Sequence, residues 1–394
     1  MSEFDLEEIT DRAGTGAPNF THGFNINGSD SGLTPPTHTV GTTEPSNPSN
    51  GDTWWNTDND SYHVYIDGEW KAWLGDTYSP TSNYGDRGFV FGDDSSTDIT
   101  RIQYFSHTSS GNAADFGDLP TGAYGAAACT NAINAFRLGG STTTSSYQKT
   151  NTIETWVCAT TGNATDFGDI GAYTYYSHAN SDGTIGIVVW GRSKSSAGQA
   201  NGDYTNDVER FTMATAGNAS DHGDLTYARG YGGSVANATR MVNFGGYNAT
   251  DPYYHRDCDY LTIATAGNCV DFGDLIRHNH YCIGVGSGSG DRGLQMGGMA
   301  RNPPGGGFYT DEIQYVDIST PGNATDSGDL VYASGEPVAG SHNATDGFRS
   351  GGYNSGTPQN YIQKSVLATG ANATDYGDIL SATFVCTGTS GNAA

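Results

Sequence analysis

Paired carboxylates recur along this chain within one short phrase. The phrase reads Gly-Asn-x-x-Asp-x-Gly-Asp followed by Leu or Ile, and it begins at residues 111, 162, 217, 267, 322 and 371, with Ala for the first Gly in the last copy. Carboxylate and carbonyl oxygens are the ligands of Ca²⁺, but one such phrase does not supply the roughly six oxygens that the ion takes. The alternative is that the acidic residues protect an exposed sheet edge by their charge. Calcium binding therefore stays an open question.

The residue types that usually carry catalysis do not form a recognisable motif. The sequence contains no H-E-x-x-H, G-x-S-x-G or P-loop pattern, and of its ten His only His278 and His280 are close together, on an expected first strand of a repeat. Asp166 and Gly168 have the Asp-x-Gly spacing of the sialidase Asp box but lack its Ser and Trp. We therefore predict that the chain is not an enzyme, with no catalytic residue, cofactor site or metal site.

The six Cys residues show no C-x-x-C pair, so neither a zinc site nor a redox motif is indicated. Cys282 and Cys386 each fall seven residues after the Leu or Ile that ends a phrase. Their matched positions in matched strands predict small, buried, apolar side chains.

Aromatic side chains are the remaining groups that could bind a ligand or a partner. Tyr253, Tyr254 and Tyr309 lie in segments where the repeats differ most, and their rings could stack on sugar rings, although ordinary loop packing is the alternative. We name them as candidate surface recognition residues. The candidate docking residues, which could instead form a small core, are four Trp within twenty residues: Trp54, Trp55, Trp70 and Trp73.

The spacing of the phrases predicts the fold that must position these residues. Subtracting successive starting positions gives steps of 51, 55, 50, 55 and 49 residues. A period near 50 is typical of kelch repeats, in which each unit is one four-stranded blade. Within a unit we expect a double Gly after the second strand, a tight Gly-Asn turn after the third and an acidic fourth strand at the outer edge. Residues 79–394 are therefore predicted to form a six-bladed kelch-like β-propeller in an all-β chain.

The two ends of the predicted propeller complement each other. Residues 380–394 follow the sixth phrase and resemble only the first strand of a blade, whereas the first unit begins near Gly85 with a second strand. Pairing of the two would remove the last free sheet edge. We expect the C-terminal strand to complete the N-terminal blade and close the ring.

Composition limits the partners of the chain. The formal net charge is −26, from 43 acidic and 17 basic residues, and no basic cluster interrupts it. Phosphate binding depends on Lys and Arg, so nucleic acid is not expected as a partner. No apolar stretch is long enough for a membrane span and the N-terminus does not resemble a signal peptide, so we expect no membrane insertion and synthesis in the cytoplasm.

The N-terminal region differs from the repeats. Residues 1–50 are rich in Gly, Thr, Pro, Asn and Ser, which predicts an extended arm that becomes ordered only against another protein. Residues 51–78 contain alternating aromatic runs around Asp67-Gly68, a strong signal for a two-residue hairpin turn. We interpret this segment as a three-stranded, Trp-rich meander.

Three parts of the sequence resemble a known class of protein. Residues 11–28 resemble an N-terminal signature of tailed-bacteriophage fibre and appendage proteins, and the stretches 48–58 and 62–70 look like a Trp-Trp meander of virion proteins from marine phages. The repeat is similar to kelch-like repeats of phage structural proteins. It departs from the kelch pattern where a Trp is usual in the fourth strand, because the counterparts here are Phe116, Phe167, His222, Phe272, Ser327 and Tyr376.

The resemblance implies a structural virion protein, made in the host cytoplasm and located in the phage particle. Residues 1–78, with the four Trp, would dock on other virion proteins, and the propeller of a tail or neck fibre or appendage would contact a host-surface glycan or protein. A homo-oligomer on the particle is implied as well. Two alternatives stay open: a capsid decoration or neck and tail scaffold protein without receptor binding, and a glycan-degrading appendage enzyme. The position on the virion is not indicated.

Overall fold

A computed structural model describes twelve segments of the chain: residues 37–56, 61–66, 68–72, 82–92, 99–142, 148–194, 203–249, 253–286, 291–302, 305–336, 338–383 and 385–392. Every regular element in these segments is a β-strand, which confirms the predicted all-β class. The chain divides into two compact units, Met1–Ser79 and Pro80–Ala394.

The first unit contains a four-stranded sheet. Its strands follow the chain order and are β1 (His38–Gly41), β2 (Thr53–Asn56), β3 (Ser61–Ile66) and β4 (Glu69–Ala72). Strands β2 to β4 form the expected antiparallel meander.

Strand β1 lies in the segment that the sequence assigned to the extended arm, and it pairs in parallel with β2. The carboxylate of Asp52 accounts for this difference, because it accepts hydrogen bonds from the backbone N–H groups of Thr37 at 2.7 Å and Ser49 at 2.8 Å. These bonds hold the start of β1 beside β2. The small sheet therefore begins before residue 51. The rest of the predicted arm, residues 1–36, lies outside the described residues.

The second unit contains six antiparallel sheets of four main strands each, which we call sheets I to VI. Sheet I contains β5 (Arg87–Phe91), β6 (Arg101–Ser106), β7 (Ala114–Asp118) and the last strand of the chain, β34 (Thr387–Gly391). Sheet II contains β8 (Ala127–Thr130), β9 (Asn134–Leu138), β10 (Thr150–Val157) and β11 (Thr165–Tyr175). Sheet III contains β12 (His178–Ser181), β13 (Ile185–Val189), β16 (Asp207–Thr212) and β17 (Ser220–Asp224).

The remaining three sheets follow the same order. Sheet IV contains β18 (Gly233–Ala236), β19 (Arg240–Phe244), β20 (Asp257–Thr262) and β21 (Val270–Asp274). Sheet V contains β23 (Gly284–Val285), β24 (Arg292–Met296), β27 (Glu312–Asp317) and β28 (Thr325–Asp329). Sheet VI contains β29 (Ala339–His342), β30 (Asp346–Ser350), β32 (Thr357–Val366) and β33 (Thr374–Thr383). The acidic phrase thus forms the fourth, outermost main strand of each sheet.

Short additional strands lie in the longer connections. The hairpin of β14 (Arg192–Lys194) and β15 (Asp203–Tyr204) extends sheet II beyond β11, and β31 (Tyr353–Asn354) pairs with β32. A separate three-stranded sheet is formed by β22 (His278–His280), β25 (Met299–Arg301) and β26 (Gly307–Tyr309).

The placement of His278 and His280 on a first strand was therefore wrong. The first strand of sheet V is β23, which starts at Gly284. A Cβ atom at Gly284 would collide with the backbone carbonyl of Ser234 in β18. The two first strands therefore approach closely at a residue without a side chain. The His-Asn-His segment precedes β23 in the chain and pairs with the inserted strand β25.

The last strand completes the first sheet. Strand β34 pairs antiparallel with β5 over five residue pairs, from Thr387 opposite Phe91 to Gly391 opposite Arg87. This is the pairing that the sequence predicted for the C-terminal segment. Each first strand also contacts the first strands of two other sheets, in the order β34, β8, β12, β18, β23, β29 and back to β34.

The apolar core of the described residues is divided among six clusters, each between two neighbouring sheets. Between sheets I and II, the rings of Phe89 and Phe116 meet edge to face at 5.0 Å, and Phe89 lies 5.8 Å from Trp156. Between sheets VI and I, Phe105 packs on Phe348 at 5.7 Å. Because each sheet is covered on both faces by its neighbours, its strands are buried almost throughout.

The repeated phrase joins neighbouring sheets. The Asp that ends each phrase donates its backbone N–H to the side-chain oxygen of the Asn in the next phrase, at 3.0 to 3.1 Å in all six cases. The pairs are Asp118 with Asn163, Asp169 with Asn218, Asp224 with Asn268, Asp274 with Asn323, Asp329 with Asn372, and Asp378 with Asn112. The last pair connects sheet VI to sheet I.

The expected tight Gly-Asn turn is not what these residues form. In sheet II the last residue pair between the third and fourth strands is Thr155 opposite Thr165, so the connecting loop is long. Asn163 in this loop faces the neighbouring sheet, and the backbone N–H of Ala164 donates a 2.9 Å hydrogen bond to the carbonyl of Asp118 there. A contact between sheets, which local sequence does not reveal, decides this geometry.

The Gly of each Asp-x-Gly-Asp segment is required at this junction, which leads to a test. Gly273 has a φ of +140°, and an added Cβ would lie 2.5 Å from the carbonyl oxygen of Gly322 in the next sheet. We expect Gly273→Ala to lower the free energy of unfolding by about 3 kcal/mol, through backbone strain and steric overlap. Urea unfolding measures the change.

Gly322→Ala is the matched control, because an added Cβ at Gly322 meets no atom within 4 Å. We expect that variant to change the free energy of unfolding by less than about 1 kcal/mol. If Gly273→Ala and Gly322→Ala changed the free energy of unfolding equally, this would contradict the role of the phrase in joining neighbouring sheets.

One buried polar side chain in the third strand of each sheet forms a hydrogen bond with the chain that comes from the previous sheet. The third strand of every sheet carries a buried Gln, Glu or Asp at the same position: Gln103, Glu154, Glu209, Asp259, Gln314 and Gln363. Each accepts a hydrogen bond of 2.7 to 3.1 Å from the chain shortly after the acidic phrase of the previous sheet; the donors are Leu380, Thr121, Gly171, Thr226, Ile276 and Tyr332. The sequence shows that a Gln, Glu or Asp recurs at this position, but only the structure shows which segment each of them hydrogen-bonds to.

Candidate functional site

One end of the six sheets collects the connections that vary most. Because neighbouring strands of a sheet run in opposite directions, the connection from the second to the third strand and the connection from the fourth strand to the next sheet leave from the same end. We call this the loop end. The segments that carry Tyr253, Tyr254 and Tyr309 connect the second strand to the third in sheets IV and V and therefore belong to it.

Aromatic side chains form a continuous group at the loop end, which we call the tyrosine cluster. Its members, each within 6.4 Å of another by ring centroid, are Tyr124, Tyr175, Tyr176, Tyr204, Tyr231, Tyr247, Tyr253, Tyr254, His280 and Tyr281. Tyr176 and Tyr231 are closest, at 4.1 Å. Most of these residues are half-buried, so part of their surface meets the solvent.

Three members of the cluster occupy equivalent positions of the repeat. Fourteen residues after the start of each phrase the chain carries Gly125, Tyr176, Tyr231, Tyr281, Glu336 and Val385, which we call the rim positions. All six have left-handed backbone, with φ between 55° and 65°. This conformation is unfavourable for a residue with a side chain, by about 1 kcal/mol or more. The tertiary structure therefore holds these tyrosines in place against a local preference.

Backbone hydrogen bonds link several rim positions to each other. The N–H of Tyr176 donates to the carbonyl of Gly125 at 2.7 Å, that of Tyr231 to Tyr176 at 3.1 Å, and that of Tyr281 to Tyr231 at 2.9 Å. Hydrogen bonds thus connect the backbone at the three tyrosines, although they lie in different repeats. Their rings lie side by side, with 4.1 Å between the centroids of Tyr176 and Tyr231 and 5.1 Å between those of Tyr231 and Tyr281.

A small cavity of about 100 Å³ lies between the first strands, and Tyr176, Tyr231 and Tyr281 are among the residues that line it. Asn83 also lines the cavity, and its side-chain amide donates a 3.0 Å hydrogen bond to the carbonyl of Ala236 at the far end of β18. The cavity has room for several water molecules but is smaller than a drug-sized binding pocket. A larger ligand would therefore have to bind at the loop end rather than inside.

The rim tyrosines remain neutral hydrogen-bonding groups. Burial raises the pKa of Tyr176, Tyr231 and Tyr281 well above that of a free phenol, and neighbouring hydroxyl groups raise the pKa of Tyr176 further. The hydroxyl groups of Tyr124 and Tyr176 are 2.8 Å apart and hydrogen-bonded. A phenol hydroxyl both donates and accepts, which suits it to ligands that carry hydroxyl or amine groups.

Cations lie against one side of the cluster. The guanidinium of Arg192 is 5.6 Å from the ring centre of Tyr175 and 5.2 Å from that of Tyr204, and the Lys149 ammonium is 4.6 Å from Tyr175. Arg301 lies 5.6 Å from Tyr254. These are cation–π distances, so the rings already stabilise positive charge within the protein.

The structure brings together two of the three predicted recognition residues. Tyr253 is 41% exposed and lies 6.1 Å from Tyr247, while Tyr254 packs edge-on against His280 at 4.3 Å. Tyr309 is not in the cluster and instead faces Tyr353 at 6.3 Å.

The rim tyrosines at positions 176, 231 and 281 were missed by the sequence analysis. A gap-free alignment of the six repeats could have shown them, because Tyr lies fourteen residues after the start of the phrase in three consecutive copies.

His278 and His280 position loops within this region. The Nδ1 atom of His278 is 2.7 Å from the carbonyl of Tyr254, and that of His280 is 3.3 Å from the carbonyl of Met299. Burial lowers the pKa of His280 to about 3, so this imidazole is neutral at physiological pH. Both rings thus support the cluster through backbone contacts.

The candidate docking tryptophans differ in exposure. Trp54 is only 5% exposed, stacks on His63 at 4.9 Å and donates a 3.0 Å hydrogen bond to the carbonyl of Gly41, so it belongs to the core of the small sheet. Trp70 meets Trp54 edge-on at 5.9 Å, and both Trp55 and Trp70 are half-buried. Trp73 lies outside the described residues.

All six cysteines are buried, as expected for Cys282 and Cys386, and none of them forms a disulfide. In the described segments no three His, Cys, Asp or Glu side chains come together in a way that could hold a metal ion. The same segments contain no helix long and apolar enough to cross a membrane. Aromatic faces and phenol hydroxyls are the groups that the tyrosine cluster could offer to a ligand. No protein-family model matches this chain, and no curated protein sequence is significantly similar to it.

Proposed function

We propose that sheets I to VI form a closed six-bladed β-propeller with kelch-like repeats. Two observations support this: the six Asp-to-Asn bonds run from each sheet to the next and return from sheet VI to sheet I, and the contacts among first strands follow the same cyclic order. Sheet I is also assembled from both ends of the unit. A ring closed in this way has no unpaired first strand.

We further propose that the chain is a structural virion protein of a tailed phage, whose propeller binds a glycan on the host surface. The observation that carries this proposal is the tyrosine cluster at the loop end. Tyrosine rings offer flat apolar faces together with hydroxyl groups, which match the alternating C–H and O–H surface of a sugar. Loops on a rigid ring are also well suited to recognition.

The backbone conformation at the rim also supports a role in binding. Left-handed backbone at Tyr176, Tyr231 and Tyr281 is retained although it is locally unfavourable, and such strain concentrates at functional sites. A ligand that meets rings already held in place loses less conformational entropy on the protein side. The acidic remainder of the surface would keep particles apart in solution.

A glycan array probed with the full chain tests the proposal. We expect binding to a subset of bacterial-surface glycans, weakened at least about tenfold by Tyr253→Ala and by Tyr204→Ala, because each removes a stacking face. Tyr332→Ala is the matched control: Tyr332 is 40% exposed, similar to Tyr253, but its ring stacks on Tyr361 outside the cluster. Glycan binding that all three variants retain would contradict the assigned site.

The location on the particle tests the second half of the proposal. An antibody raised against residues 80–394 should label the tail or neck appendages of purified phage and should slow adsorption to host cells. Labelling of the capsid shell without any effect on adsorption would instead support a decorating or scaffolding role. Release of reducing sugar from host envelopes would point to an enzyme.

A further inference from the structure

We propose that Arg349 is a positioning residue of the glycan site, and that the protein keeps its buried charge at a cost in stability. This inference rests on the proposed function and names a residue on which binding at the loop end depends. It follows from the hydrogen bonds of the Arg349 guanidinium and from a comparison with the equivalent residue of sheet II.

Arg349 is a buried cation without a carboxylate partner. It lies in β30, the second strand of sheet VI, and is 0% exposed. Its Nη2 atom donates a 2.8 Å hydrogen bond to the carbonyl of Ser334, and Nη1 donates a 3.3 Å bond to the carbonyl of Gly351. Among the residues that the structure describes, no Asp or Glu forms an ion pair with this guanidinium. Burial lowers the pKa of Arg349 to about 10, so the group is still charged at neutral pH.

The equivalent arginine of sheet II has a counter-ion. Arg137 takes the same position in β9 as Arg349 in β30, and Glu154 lies opposite it in β10, with 3.4 Å between guanidinium and carboxylate. The residue opposite Arg349 is the neutral Gln363. Each arginine nevertheless donates to a carbonyl in the connection that comes from the previous sheet, Arg137 to that of Gly122 at 2.6 Å. Sheet VI therefore keeps the contact with this connection, although the residue that would neutralise the charge is missing.

The connection that Arg349 holds supports a neighbouring sheet. The carbonyl of Ser334 also accepts a 3.1 Å hydrogen bond from the backbone N–H of Gly298, the residue before β25. Gly335 follows Ser334, and a Cβ atom added there would overlap the ring of Tyr309 in β26, so this ring lies directly on the backbone of the connection. Arg349 thus fixes a segment that contacts β25 and β26, two strands of the separate three-stranded sheet.

That three-stranded sheet carries one side of the tyrosine cluster. In β25, Met299 lies opposite Tyr309 of β26 and opposite His280 of β22. His280 is a member of the cluster and packs edge-on against Tyr254 at 4.3 Å, and the Tyr254 hydroxyl lies 3.9 Å from the sulfur of Met299. A shift of β25 would therefore displace two rings of the cluster. Groups that bind a ligand must be held in the productive geometry by the residues around them.

Replacement of Arg349 by Met tests the inference. Arg349→Met keeps an unbranched side chain but removes the charge and the hydrogen bonds to Ser334 and Gly351. We expect the affinity for the glycan that the unaltered chain binds most tightly on the array to fall at least about tenfold. The midpoint of urea unfolding should stay the same or rise, because a buried charge without a counter-ion is removed. A purely structural residue would lower the affinity and the midpoint together.

Arg292→Met is the matched control. Arg292 lies at the start of β24, at the end of the sheets opposite the loop end, where its guanidinium is 3.7 Å from the ring centre of Tyr315 and donates a 3.1 Å hydrogen bond to the carbonyl of Ala368. The substitution removes the same chemical group far from the connections of the loop end. We therefore expect the glycan affinity to stay unchanged.

Gln363→Glu is a second variant, which keeps Arg349 and supplies the missing carboxylate. The new side chain can still accept the hydrogen bond that Gln363 accepts from Tyr332, as Glu154 accepts one from Thr121 in sheet II. We expect the urea midpoint to rise and the glycan affinity to be retained, because the bond from Arg349 to Ser334 stays in place. A midpoint that falls or does not change would contradict the cost of the buried charge.

The outcomes separate the inference from the proposed function. Glycan binding that Arg349→Met retains, or a loss of binding together with a lower urea midpoint, would overturn the inference and leave the proposed glycan binding intact. If the unaltered chain bound no glycan on the array, the proposed function itself would be contradicted. Hydrogen exchange would then decide the structural part: faster exchange of the Gly298 and Met299 amides in Arg349→Met would support the role of Arg349 in fixing β25, and unchanged exchange would overturn it.

Discussion

A chain that lacks residues 385–394 should not fold to a stable second unit. Strand β34 pairs with β5 along its full length, and Cys386 is buried in the core cluster between sheets VI and I together with Val90 and Phe348. The truncation would leave β5 as an open edge and expose that cluster to water. We expect a loss of more than about 5 kcal/mol, which is comparable with the whole stability of a typical domain.

Thermal unfolding followed by near-ultraviolet circular dichroism measures this effect. Removal of only residues 393–394 is the control, because it leaves every residue of β34 in place. A synthetic peptide of residues 381–394, added to the truncated chain, should restore part of the signal by pairing with β5. A truncated chain that melts like the intact protein would show that closure by β34 does not stabilise the unit.

Asp259→Asn should cost about 3 to 5 kcal/mol of stability. The carboxylate of Asp259 lies 3.0 Å from the guanidinium of Arg229, and both side chains are almost completely buried. Asparagine keeps the shape and still accepts the hydrogen bonds from Thr226, but it leaves the Arg229 charge buried without its counter-ion. Removing one partner of a buried ion pair is strongly destabilising for this reason.

The double variant Arg229→Met with Asp259→Asn separates charge from packing. Because no buried charge then remains, we expect it to recover most of the stability that the single variant loses. Asp257→Asn is the matched control in the same strand: the Asp257 side chain is 41% exposed, and its loss should cost less than about 1 kcal/mol. A single variant as stable as the control would show that the ion pair contributes little.

The repeat could be recognised from the sequence, but the purpose of its residues could not. Alternating strands, double glycines and the period near 50 predicted six similar sheets and the pairing of the C-terminal strand, because these depend on local patterns and on counting. The Gly-Asn pair was interpreted as a tight turn because that is its usual local role. Its actual partner, for Asn163 the backbone of Asp118, is 45 residues away and belongs to another sheet.

The candidate site could also be predicted only in part, because the sequence shows where the repeats differ but not which side chains come into contact. Tyr253 and Tyr254 stand out because they lie in an insertion, where the repeats differ. Tyr176, Tyr231 and Tyr281 lie instead within the regular part of the repeat, where an aromatic residue usually belongs to the core. These three rings meet because the rim positions of consecutive repeats are hydrogen-bonded to each other through their backbones, and no local pattern predicts the left-handed backbone of these Tyr residues.

By itself, the sequence determined the strand class, the number of sheets, the acidic charge and the way in which the chain ends complement each other. These properties follow from composition, alternation and period, which are local or additive. Only the tertiary structure decided that the Asp-x-Gly-Asp phrase joins neighbouring sheets, that Trp54 belongs to a core, and that tyrosines from several repeats meet at the loop end. Such outcomes depend on contacts between residues some 50 positions apart, whose geometry exists only once the sheets are packed side by side.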